Sequence, residues 1–199
     1  MHKASRQLPE DETLELLKRG DHGTLSVQGD DGYPYATPVN YIVVHDKVYL
    51  HSAPYGYKIQ CLERNPKCCF SAIVSTRIIP EKITAAYESV ILTGQAVFVE
   101  ARAEKQAALE AFVTQKHPGY EEIGFQMIAK QIDKTAVLRL DPVALTGKAY
   151  RGCPPAGKKS HPQRCVRCGW LCSLNMQNRP GHLKVAVSYT HLTLPTILL

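Results

Sequence analysis

Three side chains in the run His51-Ser52-Ala53-Pro54-Tyr55-Gly56-Tyr57-Lys58 could hold an anion and move a proton. His51 offers an imidazole that titrates near neutral pH, Ser52 a hydroxyl that donates and accepts, and Lys58 an ammonium with three donors. Ala53-Pro54-Tyr55-Gly56 cannot comfortably continue a β-ladder, while Ile59 with Leu62 and Glu63 with Lys67 show helical spacing closed by Asn65-Pro66. Ser52 and Lys58 therefore flank a helix N-terminus. Lys58 falls in its first turn, where the macrodipole disfavours a cation by a few tenths of a kcal/mol to about 1 kcal/mol. A bound anion removes that conflict, because backbone N–H groups, a hydroxyl and an ammonium then converge on it. The plainer alternative is a solvated Lys58 and a Ser52 that merely ends a strand. A hydrolytic triad is not available, since Ser52, His51 and Asp46 lie too close in one hairpin to converge independently.

The elements that must position these residues are mostly strands. Tyr33 to Val44 and Val48 to Leu50 are rich in β-branched and aromatic residues, with a His45-Asp46-Lys47 turn between them, and read as a hairpin. Thr24 to Val27 reads as a preceding strand and Gly29-Asp30-Asp31-Gly32 as its turn. Pro9 to Arg19 predicts a helix, with acids Glu10, Asp11 and Glu12 near its start, Gly20 as its stop, and Leu14, Leu16 and Leu17 to dock it. Lys67 to Ser75 and Thr84 to Val99 are strand-like, and Gly94 marks a bend. Arg102 to Lys116 predicts a helix with Ala108, Leu109, Phe112 and Val113 on one face, ended by Pro118-Gly119, and Thr135 to Leu140 a closing strand.

Five pieces in order carry a resemblance over residues 5 to 150: G-Y-P-Y-x-x-P-V-N-Y at Gly32 to Tyr41, Y-L-H-S-A-x-x-G-x-K at Tyr49 to Lys58, L-x-R-N-P-x-x-C-F at Leu62 to Phe70, Y-E-S-V at Tyr87 to Val90, and L-T-G-K at Leu145 to Lys148. The chain resembles the pyridoxamine-phosphate-oxidase-like, FMN-binding split-barrel superfamily, and within it the nitroimidazole-reductase branch. The resemblance implies a mainly β fold with peripheral helices, a six-stranded antiparallel split barrel that forms a homodimer with FMN in clefts between subunits. It places the flavin ring against Thr37, Pro38, Val39, Asn40 and Tyr41, sets His51 and Ser52 beside the cofactor, and gives Lys58 the phosphate. Glu88 and Ser89 would join the site from a neighbouring long strand.

The formal charge of +6 suggests an anionic partner such as nucleic acid, but the charge is unevenly placed. Residues 1–150 carry 17 Lys and Arg against all 18 Asp and Glu, whereas residues 151–199 carry seven cations and no acid. The tyrosines at 33, 35, 41, 49, 55 and 57 have only Lys47 and Lys58 among them, so they read as half-buried strand residues rather than a base-stacking surface. Nucleic acid is thus not the expected partner of residues 1–150.

The tail is a different matter. It holds four of the seven cysteines and the only tryptophan, and lacks periodicity. Val187 to Thr196, VSYTHLTLPT, resembles read-through of a transposase-type sequencing adapter, so residues 187–199 read as an assembly scar. Residues 151–186 read as a basic, disordered tail or a wrong-frame extension. Cys165 and Cys168, with Cys172, Cys153 and His161 nearby, supply one ligand pair but not the second that a zinc module needs, so no metal site is assigned. Cys61, Cys68 and Cys69 read as small core hydrophobes. Met1 to Asp21 is polar and no apolar run approaches the ~20 residues of a membrane span, which fits a reducing cytoplasm and no membrane partner.

Residues 1–150 read as one domain, and the resemblance implies an FMN-dependent oxidoreductase that passes electrons from a nicotinamide donor to a small aromatic acceptor such as a nitro compound. His51 is the expected catalytic residue, steering the acceptor or a proton. Two other classes follow from the same features: a flavin- or haem-holding module without turnover, and a nucleic-acid binder acting through the basic tail.

Overall fold

The computed structural model describes residues 4–152. In chain order they form α1 (Glu10–Arg19), β1 (His22–Gln28), β2 (Pro34–Asn40), β3 (Ile42–Val44), β4 (Lys47–Ser52), α2 (Tyr57–Arg64), β5 (Lys67–Ile79), β6 (Thr84–Phe98), α3 (Arg102–Lys116), α4 (Glu121–Gln131) and β7 (Ala136–Tyr150). All strand pairs are antiparallel, in the order β2-β1-β5-β6-β7-β4-β3. This is a mainly β fold with peripheral helices, a curled antiparallel split barrel.

Seven strands replace the six expected because the run from Pro34 to Val44 is broken at Tyr41. Its first half, β2, pairs with β1 from Gln28↔Pro34 to His22↔Asn40. Its second half, β3, pairs with β4 as Ile42↔Tyr49, Val43↔Val48 and Val44↔Lys47. One run of chain thus supplies both outermost strands of the sheet. The expected hairpin survives only in β3 and β4, joined through His45 and Asp46 at φ 48° and 61°, the left-handed pair that matches strand twist in a two-residue turn.

Two apolar layers lie on either side of the sheet. Alternation along β4 sends Val48 and Leu50 into the barrel with Leu25, Phe70 and Leu140, and sends Tyr49 to the layer under the helices. That second layer joins Ile42 and Val137 to Leu109, Phe112 and Val113 of α3 and Ile128 of α4. Each such fully buried side chain stabilises the fold by roughly 1.5 to 3 kcal/mol. The expected α3 boundaries and buried face are both observed. α1 begins one residue after Pro9 and ends at Gly20, whose N–H donates to the Leu17 carbonyl at 3.2 Å; Leu16 and Leu17 are buried and Leu14 is half-buried.

The register of β6 with β7 shifts between Thr93 and Gly94, where a Cβ would collide with the Asp141 carbonyl. Two elements depart from sequence expectation. The helix α4 follows Gly119 with one buried residue, Ile128, too few to give an amphipathic signal. The closing strand runs on past Leu140 to Tyr150, because its second half pairs with β6 from Thr93↔Ala144 to Tyr87↔Tyr150. Among the described residues no helix is long and apolar enough to cross a membrane.

Candidate functional site

His51 lies near the end of β4, opposite Val137 of β7, on the side of the sheet covered by α3. Its ring meets the Phe112 ring edge-on, with centroids 4.5 Å apart and planes at 85°. α3 is held in that position by the Tyr49 hydroxyl, which donates to Glu104 Oε1 at 3.0 Å, and by Arg139, which donates to the same oxygen at 2.7 Å. His51 Nδ1 is buried and has no hydrogen-bond partner, the one such side-chain atom among the described residues. Burial holds the His51 pKa below its ordinary value, and the charges of Lys58 and His117 push the same way.

Lys58 is the second residue of α2, as expected. The helix starts from Gly56 at φ 111°, a backbone region that favours glycine, and no side chain caps it. Ile59 and Gln60 both donate their N–H groups to the Gly56 carbonyl, at 3.0 and 3.1 Å. The N–H groups ahead of them are those for which a helix has no internal acceptor. The Lys58 side chain is half-buried, and burial alone accounts for a pKa below that of an ordinary lysine. No carboxylate compensates it among the described residues. A partly desolvated ammonium without a counter-ion, beside free backbone donors, suits an anion.

α2 is fixed to the β1–β2 turn at both of its ends. The Asp30 N–H donates to the Tyr57 hydroxyl at 2.9 Å, and Arg64 pairs with the Asp30 carboxylate. Tyr57 also meets Tyr35 edge-on at 4.9 Å. Of the six clustered tyrosines, Tyr33 and Tyr55 are instead largely exposed, because they sit in turns.

The other expected site residues divide. Ser52 is buried and its hydroxyl donates to the Ala53 carbonyl at 2.8 Å, so it braces the turn leading to α2. On β2, Pro38 and Asn40 are exposed, Thr37 is half-buried and Val39 faces the core. Tyr41 does not line an open surface. Its ring is fully buried against Phe70, with centroids 5.0 Å apart, and its hydroxyl donates to the Leu17 carbonyl at 2.7 Å.

No hydrogen bond or ion pair joins Glu88 or Ser89 to His51 among the described residues. His51 pairs with Val137, whereas Glu88 pairs with Ala149, twelve positions further along β7 and up to about 40 Å of strand away. The Glu88 carboxylate is also committed elsewhere: it accepts from Arg151 at 2.8 Å and from Ser75 at 3.1 Å, and pairs with Arg19 at 3.4 Å. Glu88 is thus a structural clamp between α1, the barrel and the end of β7. Ser89 is half-buried beside Ile73 of β5 and Lys148 of β7.

Phe112 and His117 belong to the surroundings of His51 and carry no sequence signal, being more than sixty residues away on α3 and its C-terminal cap. Cys61 and Cys68 are buried, and burial pushes the Cys68 thiol up to about 11. Among the described residues no three metal-ligating side chains come together. The tail constellation of Cys153, His161, Cys165, Cys168 and Cys172 lies outside the described residues, as does the stretch 187–199.

A family model described as pyridoxamine 5'-phosphate oxidase matches residues 9–149. No curated protein matches the sequence. Among solved structures, a conserved hypothetical protein from Mycobacterium tuberculosis is similar with a TM-score of 0.67 at 20% identity, over 77% of this chain and 94% of that one. A Bacteroides thetaiotaomicron protein described as a candidate 5-nitroimidazole antibiotic resistance protein gives 0.59 at 22% identity, over 72% and 86%. An FAD and haem binding protein from Mycobacterium smegmatis gives 0.65 at 20% identity, over 75% of each chain. At these identities the likeness speaks for the fold.

Proposed function

The chain belongs to the pyridoxamine 5'-phosphate oxidase family, a flavin-binding split-barrel family, and on that premise we propose that it is an FMN-dependent oxidoreductase acting on small aromatic acceptors in the manner of nitroimidazole reductases. The observation that carries the reading is Lys58: a half-buried ammonium with no carboxylate to balance it, in the first turn of a helix opened by Gly56. A phosphate monoester matches that arrangement in charge and in hydrogen-bond demand. The residues that would hold the cofactor are Lys58 and the backbone at the start of α2, with the exposed outer side of Thr37 to Asn40 available to its ring system. A flavin held there supplies the electron-carrying chemistry, and the protein supplies binding, orientation and electrostatics.

The chain's own contributions follow from its geometry. Phe112 fixes the His51 ring, and α3 excludes water from Nδ1. His51 can then give or take a proton beside the acceptor. A nicotinamide donor is the proposed source of electrons. The unit is proposed to be a homodimer, in which residues registered at the two ends of β7, His51 against Val137 and Ser89 against Lys148, would meet between copies. On β1, β5 and β6 the residues Ser26, Cys69, Ser71, Ile73 and Ile91, exposed or half-buried, form the face proposed to meet the second copy, with Lys67 at the start of β5.

The test is spectroscopic. The purified protein is titrated with FMN and with FAD, then exposed to a nicotinamide donor, and a nitroimidazole is added to the reduced sample. Tight FMN binding, bleaching by the donor and recovery of colour on addition of the acceptor are expected. Failure to bind either flavin would remove the proposal. The neighbour named for FAD and haem binding motivates a second reading, a flavin- or haem-holding module without turnover; bound colour that no donor bleaches would favour it.

A further inference from the structure

The outward side of β6 and β7 carries two cations, Arg6 and Lys148, that the flavin reading leaves unused. Tyr87 on β6 faces Tyr150 on β7, and two residues along Ser89 faces Lys148. Alternation sets these four on one side of the sheet, opposite the buried Ala86, Glu88 and Val90. The N-terminal segment completes the cluster. Leu8 donates its N–H to the Gly147 carbonyl at 2.9 Å and Gln7 pairs with Lys148. Arg6 is thereby brought over the Tyr150 ring, 4.1 Å from its centroid, with Nη1 donating to the Tyr87 hydroxyl at 3.3 Å.

The ring contact and one hydrogen bond account for the place of Arg6, but leave most of its five donors open. Lys148 has less. Its side chain is half-buried, and among the described residues no hydrogen bond or ion pair engages its ammonium. The adjoining outward positions, Thr76 and Ile73 on β5, Ile91 on β6 and Thr146 on β7, bring no acid. Glu88 lies on the other side of β6 and is held by Arg151 and Ser75. Lys148 and Tyr150, which carries Arg6, are about 7 Å apart along the strand, so a planar fork and a point charge serve one small space beside the Ser89 hydroxyl. Two cations without a carboxylate match a dianion, and a phosphate monoester has that charge and the acceptor oxygens for both.

We propose that Arg6, Lys148 and Ser89 form an oxyanion subsite separate from Lys58, and that it takes the ribose phosphate monoester of a phosphorylated nicotinamide donor. The subsite rests on the geometry of β6, β7 and the N-terminal segment; the identity of the molecule that carries the phosphate rests on the proposed flavin chemistry. Ile91, beside the cluster, belongs to the face proposed to meet a second copy, so the subsite opens next to the shared flavin site, where a donor has to approach. No bond forms or breaks there: the subsite only binds and orients.

The test uses the full chain with two probes, adenosine 2'-monophosphate and adenosine, followed by NMR of the tyrosine rings and by calorimetry. The monophosphate is expected to shift the Tyr87 and Tyr150 rings, and adenosine is not. Arg6→Gln with Lys148→Gln should weaken the monophosphate at least about tenfold, whereas Lys58→Gln should leave it bound. In the flavin-loaded protein the phosphorylated donor should have a KM at least about tenfold below that of the unphosphorylated one, and the double variant should bring the two values together. Lys148→Gln alone removes no side-chain bond of the folded chain, so its urea midpoint should match the parent's while its affinity for the monophosphate falls. Monophosphate bound by a chain that takes up no flavin supports the subsite and removes the flavin reading. Turnover with equal KM values for the two donors, and tyrosine rings that ignore the monophosphate, overturns the subsite and leaves the flavin reading standing. A double variant that becomes monomeric yet binds the monophosphate as before also overturns it, by giving Arg6 and Lys148 to the interface.

Discussion

The Tyr41 hydroxyl donates a 2.7 Å hydrogen bond to the Leu17 carbonyl, tying the break between β2 and β3 to the last turn of α1. The bond is fully buried and the ring packs on Phe70, so Tyr41 holds the closure of the barrel rather than its outer surface. Burial raises the phenol pKa well above its usual value, with the Asp21 charge adding to it, so the hydroxyl remains a donor at any working pH. Tyr41→Phe is expected to cost about 1 kcal/mol, the net worth of one intramolecular hydrogen bond. Urea unfolding should show a lower midpoint with unchanged flavin affinity. An affinity loss without a stability loss would return Tyr41 to the cofactor surface.

Lys58→Glu replaces the uncompensated cation with an anion in the same first turn of α2. Loss of a charge-assisted hydrogen bond costs roughly 1.5 to 3 kcal/mol, or about ten- to a hundredfold in affinity before repulsion is added. Fluorescence titration should show FMN weakened by at least that factor and riboflavin, which lacks the phosphate, weakened far less. Equal losses for the two ligands would mean that Lys58 does not touch phosphate.

Glu88 carries a pH dependence whose sign is fixed by its partners. Burial pulls its pKa up, but the hydrogen bonds from Arg151 and Ser75 and the charges of Arg151 and Arg19 outweigh that and leave it below the usual glutamate value. A carboxylate with a lowered folded pKa stabilises the fold fully above its unfolded value of about 4.3, and that contribution disappears as pH falls through the lowered one. Glu88→Gln is expected to cost about 1 to 2 kcal/mol at neutral pH, discounted for the half-exposed arginines. Urea midpoints of the two proteins should converge as pH falls below that lowered pKa. A gap that persists in acid would mean that the charge of Glu88 is not what holds α1 to the barrel.

Local chemistry made some elements legible from residues alone. The four apolar positions of α3, the Gly20 stop of α1, the bend at Gly94 and the cation in the first turn of α2 are all set by spacing within one element or by one residue's geometry. The break at Tyr41 was not legible, since β2 and β3 share one β-rich composition and differ only in which distant strand each meets. The same holds for β7, whose outer half is set by pairing with β6 across Pro142 and Val143, residues that by themselves read as a turn. For the site, sequence supplied His51 and Lys58, but the neighbours of His51, Phe112 and His117, are brought in by tertiary packing.

Two residues past the Tyr150 boundary read from sequence make contacts with the rest of the described residues. Arg151 bonds both Glu88 and Glu12, and the Gly152 carbonyl accepts from Lys82 at 2.8 Å. A chain ending at Gly152 is expected to fold and bind flavin like the full chain. One ending at Tyr150 should unfold at lower urea, by about 1 to 2 kcal/mol for the lost charge-assisted bonds. Identical midpoints for the two truncations would assign the Arg151 contacts no net worth.

A flavin site shared between two copies predicts that flavin affinity depends on protein concentration. A barrel of this size fills its interior with its own side chains, here Leu25, Tyr41, Leu50, Phe70 and Leu140. The ring must lie on the outside, where a second copy related by a two-fold axis can cover it. Ile73 is 70% exposed and Ile91 47% exposed on adjacent strands, an apolar pair open to a partner. The double substitution Ile73→Glu with Ile91→Glu places like charges on both sides of the proposed two-fold interface without touching the barrel interior. Sedimentation should then show monomers whose thermal unfolding matches that of a diluted wild type, and FMN should be lost in parallel with dimer. Monomers that keep FMN as tightly as the parent chain would show that one copy holds the whole site.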